Sequence, residues 1–235
     1  MNVFSAFSSV GIGETLIHQY YPQFRYTAVE VVPKLAEEYA RRFPGCQVLV
    51  GDAYEFVYDH CQDFHVICCS PECQTFSRRT GARKRDPILP DDRIFDLIDF
   101  LYKHFQGRWW VENVNTPYLR TQYKRGPFLA RVERHLFWSN VPLVERARLP
   151  PRRFTYCGGH YPDQLKDTQE WLGVTLSKRF RIRGNANPCQ VYWEAYHPLT
   201  GLDLFQQLLH PVQTTLNPKA RGENTHLTAL KEEVG

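Results

Sequence analysis

The 235 residues suffice for one substantial core and at most a small accessory unit, so a single domain is the default. A formal net charge of +4 permits a nucleic-acid partner without demanding one, and no apolar run approaches the roughly 18 to 20 residues of a membrane span, so a soluble protein is expected. Seven cysteines at irregular spacing, with no secretory leader, exclude a disulfide framework and point to a reducing, cytoplasmic setting; Cys68, Cys69 and Cys73 also lack zinc spacing, even with His60 and His65 nearby.

Asn2 to Phe7 has the apolar content of a short buried strand, and Ser8-Ser9-Val10-Gly11-Ile12-Gly13 is a small-residue turn leading into helical Glu14 to Tyr20. Such a unit brings backbone amides close to a ligand, although Gly-x-Gly after a strand is also common as a plain tight turn. A second strand, Tyr26 to Val29, ends at Glu30, about 20 residues past the turn, where dinucleotide-type sheets place an acid against ribose hydroxyls. Glu30 reads equally as the first acid of a helix over Pro33 to Phe43. The third strand, Gln47 to Val50, runs into Gly51-Asp52-Ala53. Asp52 there either accepts from an exposed amine, such as an adenine amino group, or caps a helix over Ala53 to Tyr58. Phe7, Glu30 and Asp52 would together line one edge of a parallel sheet, where open α/β folds bind ligands.

Phe64 to Cys69 is an apolar run of strand length that opens into Ser70-Pro71-Glu72-Cys73-Gln74-Thr75-Phe76-Ser77, followed by the basic loop Arg78, Arg79, Arg83, Lys84 and Arg85. Nearby cations favour the thiolate of Cys73, making it the candidate nucleophile, whereas Cys68 and Cys69 inside the apolar run should stay protonated and inert. Ile94, Leu97, Ile98 and Leu101 have helical spacing within Asp91 to Phe105 and should pack on the sheet. Trp109-Trp110-Val111 returns as a buried strand and delivers Glu112-Asn113-Val114; a lone Glu there is either a reactive carboxyl beside Cys73 or a cap or surface ion pair. Arg131 to Asn140 carries Arg131 and Arg134 before an apolar strand. Residues 140 to about 169 read as irregular, with Pro142, Pro150, Pro151, Arg152 and Arg153, and some 30 residues cannot form a sizeable core. Gln190 to His197 reads as a helix. Leu199 to His210 is amphipathic, for docking on the domain or on a partner, and Asn217 to Gly235 is a polar, frayed tail. Arg78 to Arg85, Arg120 to Arg134, Arg146 to Arg153 and Lys178 to Arg183 group the basic residues, each either a solvated face or a phosphate contact.

The phrase around Cys73 resembles the Pro-Pro-Cys-Gln-x-Phe-Ser signature of cytosine-5 DNA methyltransferases, with Glu72 where that family usually has its second proline. Further blocks follow in the family's unpermuted order over roughly Asn2 to Tyr196. Phe7 to Gly13 is similar to the Phe-x-Gly-x-Gly cofactor loop, with Ser8-Ser9 as a departure. Glu112-Asn113-Val114 matches the Glu-Asn-Val block. Arg131 to Asn140 resembles the Gln-x-Arg-x-Arg block, with Val132 in place of one arginine, and Gly184-Asn185-Ala186-Asn187-Pro188 resembles Gly-Asn-Ala-Val-Pro, with Asn187 for valine.

The resemblance implies an α/β, Rossmann-like class I S-adenosylmethionine-dependent methyltransferase fold, a mostly parallel sheet flanked by helices. It implies S-adenosyl-L-methionine as methyl donor, with S-adenosyl-L-homocysteine as product, held by Phe7, Ser8, Gly11, Gly13, Glu30, Val31, Asp52, Ala53, Ser70, Pro71 and Asn185. The implied partner is double-stranded DNA, met by Gln74, Ser77, Arg78, Arg79, Arg83, Asn113, Arg152 and Arg153. Cys73, Glu112 and Arg134 would act on a flipped cytosine. On this reading residues 1–139 form the first part of the catalytic and cofactor-binding domain, 140–169 a short target-recognition segment, 170–215 the returning part of the catalytic domain and 216–235 the tail. A non-catalytic relative that binds nucleic acid and cofactor, or one with RNA or a modified donor, is the alternative; a cysteine hydrolase would need a histidine partner, and no histidine has a compelling context in the sequence.

Overall fold

The computed structural model describes residues 1–76, 90–122, 128–150, 161–177, 180, 190–193 and 195–211. Strands β1 (Asn2–Ala6), β2 (Arg25–Glu30), β3 (Gln47–Val50), β4 (Val66–Cys69), β5 (Arg108–Val114), β6 (Phe128–Val132) and β7 (His135–Ser139) form one sheet in the order β3-β2-β1-β4-β5-β7-β6. The first five run parallel, and β7 is antiparallel to both of its neighbours. Between them lie α1 (Thr15–Tyr20), α2 (Pro33–Arg42), α3 (Ala53–His60), α4 (Arg93–His104) and α5 (Pro117–Gln122); α6 (Tyr161–Leu172), α7 (Gln190–Trp193) and α8 (Pro198–Leu209) follow the sheet. This is the mostly parallel, Rossmann-like α/β arrangement expected from the sequence.

Alternation along the strands supplies both faces of the core. Phe4, Ala6, Ile67, Cys69, Trp109 and Val111 face α3 and α4, where Ile94, Leu97, Ile98 and Leu101 are all fully buried at the spacing read from the sequence. Val3, Val66, Cys68, Trp110 and Phe137 face the other way, onto Ile17 of α1 and Leu204, Phe205 and Leu208 of α8. The amphipathic stretch before His210 therefore docks on its own domain, and burying Phe205 and Leu208 contributes roughly 1.5–3 kcal/mol each. The approach is close enough to require glycine. A Cβ on Gly201 would lie 2.1 Å from the Gly13 carbonyl oxygen, and one on Gly13 would lie 2.2 Å from the Tyr196 ring.

Three boundaries differ from the sequence reading. The strand expected over Trp109 to Val111 continues to Val114, because the β6–β7 hairpin pairs Glu112 with Phe137 and Val114 with His135. A helix over Tyr161–Leu172 occupies part of the stretch read as irregular and runs past the expected boundary at 169 and 170; its buried Leu165, Thr168 and Leu172 make one face. The helix expected over Gln190 to His197, described over Gln190–Trp193, has ended by Ala195, and a new one begins at Pro198, since the residue before proline disfavours helical backbone. His197 accordingly has ψ 140° and accepts the Leu199 amide on its side chain as an N-cap.

One buried carboxylate ties the later segment to the first half of the fold. Glu38 of α2 accepts from Arg41 Nη2 at 2.7 Å and from the Ser177 amide at 2.9 Å, with the Ser177 hydroxyl on its other oxygen. Burial pushes this carboxyl up, but the Arg41 guanidinium and the Ser177 donors outweigh it and hold it down to about 2. A depressed value stabilises the fold above the unfolded carboxyl's 4.5, and that stability is lost as pH falls through about 2. Glu38→Gln is therefore expected to cost about 1.5–3 kcal/mol near neutrality, the usual worth of hydrogen bonds to a charged group. Denaturant titrations between pH 7 and 2 check this: the gap between the two proteins should close as the acid end is approached.

Candidate active site

The sheet order reverses between β1 and β4, and the crevice outside the carboxyl ends of strands at such a point is where open α/β sheets take ligands. After β1 the backbone turns sharply. Phe7, Ser9 and Gly11 all have left-handed φ, at 58°, 49° and 65°, which is costly for the two side-chain-bearing residues and persists only where the surroundings enforce it. The enforcing contacts are the Ser8 amide on the Val29 carbonyl at 3.2 Å, the Gly11 amide on the Ser8 carbonyl at 2.9 Å and the Ser9 amide on Glu30 Oε2 at 2.8 Å.

Glu30 is buried at the end of β2, with its other oxygen accepting from the Val32 amide at 2.8 Å. Burial pushes its carboxyl up, and the Val32 and Ser9 amides pull against that shift. Of the two readings of Glu30, the helical one gives way: α2 starts at Pro33 with Val32 at its cap position, and Glu30 clasps the β1 turn instead. A carboxylate at the end of the second strand is an acceptor of the kind that takes the hydroxyls of a diol such as ribose. Val31, 57% exposed, stands next to it as apolar surface.

The glycines have another use than ligand approach. Space at Gly11 is filled by the Tyr39 and Phe43 rings, both 2.6 Å from where a Cβ would stand, and space at Gly13 by Tyr196. Asp52 caps α3 by accepting the Tyr54 amide at 2.8 Å, the commoner of its two readings, with Arg93 3.7 Å from its Oδ2. Ala53 is buried in the core, while the Phe7 ring packs edge-on to Tyr54. Of the expected cofactor residues, Phe7, Ser8, Glu30 and Val31 thus gather at the crevice, whereas the space at Gly11 and Gly13, and Ala53 itself, serve packing.

Beyond β4 the Ser70 amide continues the ladder to the Ala6 carbonyl at 3.1 Å. Burial pushes the thiols of Cys68 and Cys69 up, which keeps them protonated as expected. Cys73, by contrast, is only half-buried. Its carbonyl accepts the Phe76 amide at 3.1 Å, and Phe76 is buried against Tyr118 of α5, which anchors the turn Gln74–Phe76. Asn113, wholly buried on β5, donates from Nδ2 to the Pro71 carbonyl at 3.0 Å and accepts the Val114 amide at 2.8 Å. That bond joins the segment carrying Cys73 to the strand carrying Glu112. It gives Asn113 a framework role beside the substrate contact expected of it.

Glu112 is 5% exposed and turned to a residue that sequence reasoning missed. His135 Nδ1 lies 2.6 Å from Glu112 Oε1, and Arg134 Nε donates to His135 Nε2 at 3.3 Å. A histidine with a compelling context therefore exists, contrary to the sequence reading, and the hairpin register that pairs Val114 with His135 is the signal that could have found it. Its Nε2 is directed to Arg134, which disfavours the hydrolase alternative. Arg134, expected to act on the base, also supports the histidine. Around the pair, Tyr196 stands edge-on to His135 at 6.1 Å and hydrogen-bonds Ser70. At the end of β5 the buried Asn115 Oδ1 accepts nothing among the described residues, an acceptor that a ligand or water would satisfy.

Ser77, Arg78, Arg79, Arg83, Arg152, Arg153 and Asn185 lie outside the described residues. Among the described residues no group of three or more His, Cys, Asp or Glu is placed to hold a metal ion, and no helix is long and apolar enough to cross a membrane.

No protein-family model and no curated protein sequence matches the chain. Solved structures do. TrmN from Thermus thermophilus is 13% identical with a TM-score of 0.43, over 59% of this chain and 43% of TrmN's own length. A fibrillarin/Nop5p complex is 10% identical with a TM-score of 0.41, over 59% of this chain and 70% of that one. A TehB-like SAM-dependent methyltransferase from Corynebacterium glutamicum is 16% identical with a TM-score of 0.39, over 59% and 78%. The sheet order itself, with its antiparallel β7 between β5 and β6, is that of the class I S-adenosylmethionine-dependent methyltransferase fold.

Proposed function

We propose that this protein is an S-adenosylmethionine-dependent methyltransferase that methylates carbon 5 of cytosine in DNA through a transient bond to Cys73. The observation that carries the reading is the Asn113 to Pro71 hydrogen bond of 3.0 Å, which holds the Cys73 segment and the Glu112 strand side by side, next to the sheet's switch point. The sequence resemblance supports it independently, because the two blocks so joined are the two that the cytosine-5 chemistry needs.

The groups at the crevice fit the nucleoside part of S-adenosylmethionine: Glu30 would accept from the ribose hydroxyls, with Val31 as apolar neighbour and the Phe7 to Ser9 backbone beside it. When bound, that group supplies an electrophilic methyl on a sulfonium. The Cys73 thiolate adds to carbon 6 of the base, forming a sulfur–carbon bond and moving the ring electrons to carbon 5. A proton taken up as the base binds is shared between Glu112 Oε2 and ring N3, which offsets the charge of the adduct. Carbon 5 would take that methyl, the leaving group departing as the neutral thioether S-adenosyl-L-homocysteine; loss of the carbon 5 proton to solvent then expels the cysteine sulfur, and release of the proton held at N3 leaves the neutral methylated ring. Adding to carbon 6 requires access to the face of the base, so the base must leave the stack.

The test is incubation of the protein with double-stranded DNA, and separately with RNA, in the presence of methyl-labelled S-adenosylmethionine, followed by nucleoside mass spectrometry. Labelled 5-methyldeoxycytidine is expected. Label confined to RNA would move the substrate class, and no label in either would overturn the proposal.

A further inference from the structure

We infer that His135 is a positioning residue for this reaction: gripped by Arg134 on one ring nitrogen, it gives its Nδ1–H to Glu112 Oε1 and leaves Oε2 as the oxygen presented to the base. The inference rests on the reading of Glu112 given above. Both side chains are enclosed, Glu112 at 5% and His135 at 3% exposure, on antiparallel neighbours β5 and β7. Arg134 Nε carries only a donor hydrogen, so the bond it makes requires a lone pair on Nε2, which puts the ring hydrogen on Nδ1. At 2.6 Å that hydrogen is in a charge-assisted bond to the carboxylate.

Among the described residues, only Glu112 and Arg134 hydrogen-bond the imidazole. Tyr196, from the segment before α8, meets it edge-on and accepts a hydrogen bond from Ser70; Glu14 from the start of α1, Cys68 of β4 and Glu112 itself are the charged or titratable groups near its hydroxyl. The consequence is a carboxylate fixed in one orientation before the base arrives. A free carboxylate would have to be frozen as the base bound, and preset geometry is where most of the advantage of a bound reactive group comes from. Turning both oxygens to the base would strand a buried imidazole N–H, so Glu112 is confined to offering one.

The experiment compares His135→Leu, which removes the donor, with His135→Asn, whose amide nitrogen can stand where Nδ1 does. In the ligand-free wild type, proton NMR should show a slowly exchanging, far-downfield imidazole N–H that is lost in His135→Leu and shifted upfield in Glu112→Gln. His135→Leu should lower kcat for methyl transfer about 10²-fold with KM for the donor unchanged, and His135→Asn should recover most of the loss. A packing role alone would leave kcat intact in the folded fraction and would not distinguish the two variants. Wild-type kcat in His135→Leu overturns the role, as does absence of the downfield resonance from the wild type. If His135→Leu fails to fold, the wild-type resonance and the kcat of His135→Asn decide: the resonance with substantial activity supports the role, and its absence overturns it. A wild type that transfers no methyl group at all removes the function, and this role with it, whether or not the resonance is seen.

Discussion

Cys73→Ser is expected to fold, to bind S-adenosyl-L-homocysteine as the wild type does, and to leave no 5-methylcytosine in treated DNA. The exchange replaces sulfur by oxygen in a side chain of nearly the same shape at a half-buried position, and it keeps the Cys73 carbonyl that accepts the Phe76 amide in the turn, so the local structure has little reason to change. Cofactor binding should survive for the same reason, since the Ser9 and Val32 amides on Glu30 shape that part of the crevice without help from residue 73. Chemistry should not survive. A serine hydroxyl stays protonated near neutrality and is a poor nucleophile without an adjacent base, whereas a thiol reaches its reactive anion far more readily. DNA bearing 5-fluorocytosine sharpens the test, because fluorine cannot depart as a proton does and the adduct at carbon 6 stays attached. The wild type should then give a denaturant-stable protein–DNA species that Cys73→Ser cannot form. Undiminished methyl transfer by Cys73→Ser would remove the nucleophile from the proposal.

The features legible in the sequence were those set by local periodicity and by single chemical groups. The strand ahead of Cys73, the α4 stripe of Ile94, Leu97, Ile98 and Leu101, and the acid at the end of β2 all declared themselves through spacing and neighbours. What stayed hidden depended on pairing between segments far apart in the chain. His135 is unremarkable beside Arg134 and Leu136, and becomes the partner of Glu112 only once β7 lies antiparallel to β5. Gly11 and Gly13 suggested a ligand loop because a glycine's missing side chain says that something comes close, without saying what. Here aromatic rings of Tyr39, Phe43 and Tyr196 come close, and the left-handed turns fall partly on Phe7 and Ser9, which no propensity would favour. Asn113 read as a possible base contact, while its bond to the Pro71 carbonyl follows from the parallel register of β4 with β5.

Glu112→Gln is expected to keep the fold and lose methyl transfer by about 10²- to 10⁴-fold, the usual worth of a positioned proton-transfer group. The amide oxygen of glutamine can still accept the His135 Nδ1–H, so the buried imidazole is not left without a partner and the β5–β7 register should hold. The amide nitrogen can even approach a ring nitrogen, but it has no proton to share that would leave a stable anion behind. Addition of sulfur to carbon 6 would then build charge on the base with nothing to offset it, and the barrier to that step should rise while binding of the donor stays the same. Separate measurement of kcat and of the donor's KM checks this, together with a thermal melt to confirm folding. A loss confined to KM would mean that the carboxyl merely binds, and a normal kcat would assign Glu112 to the β5–β7 framework with His135.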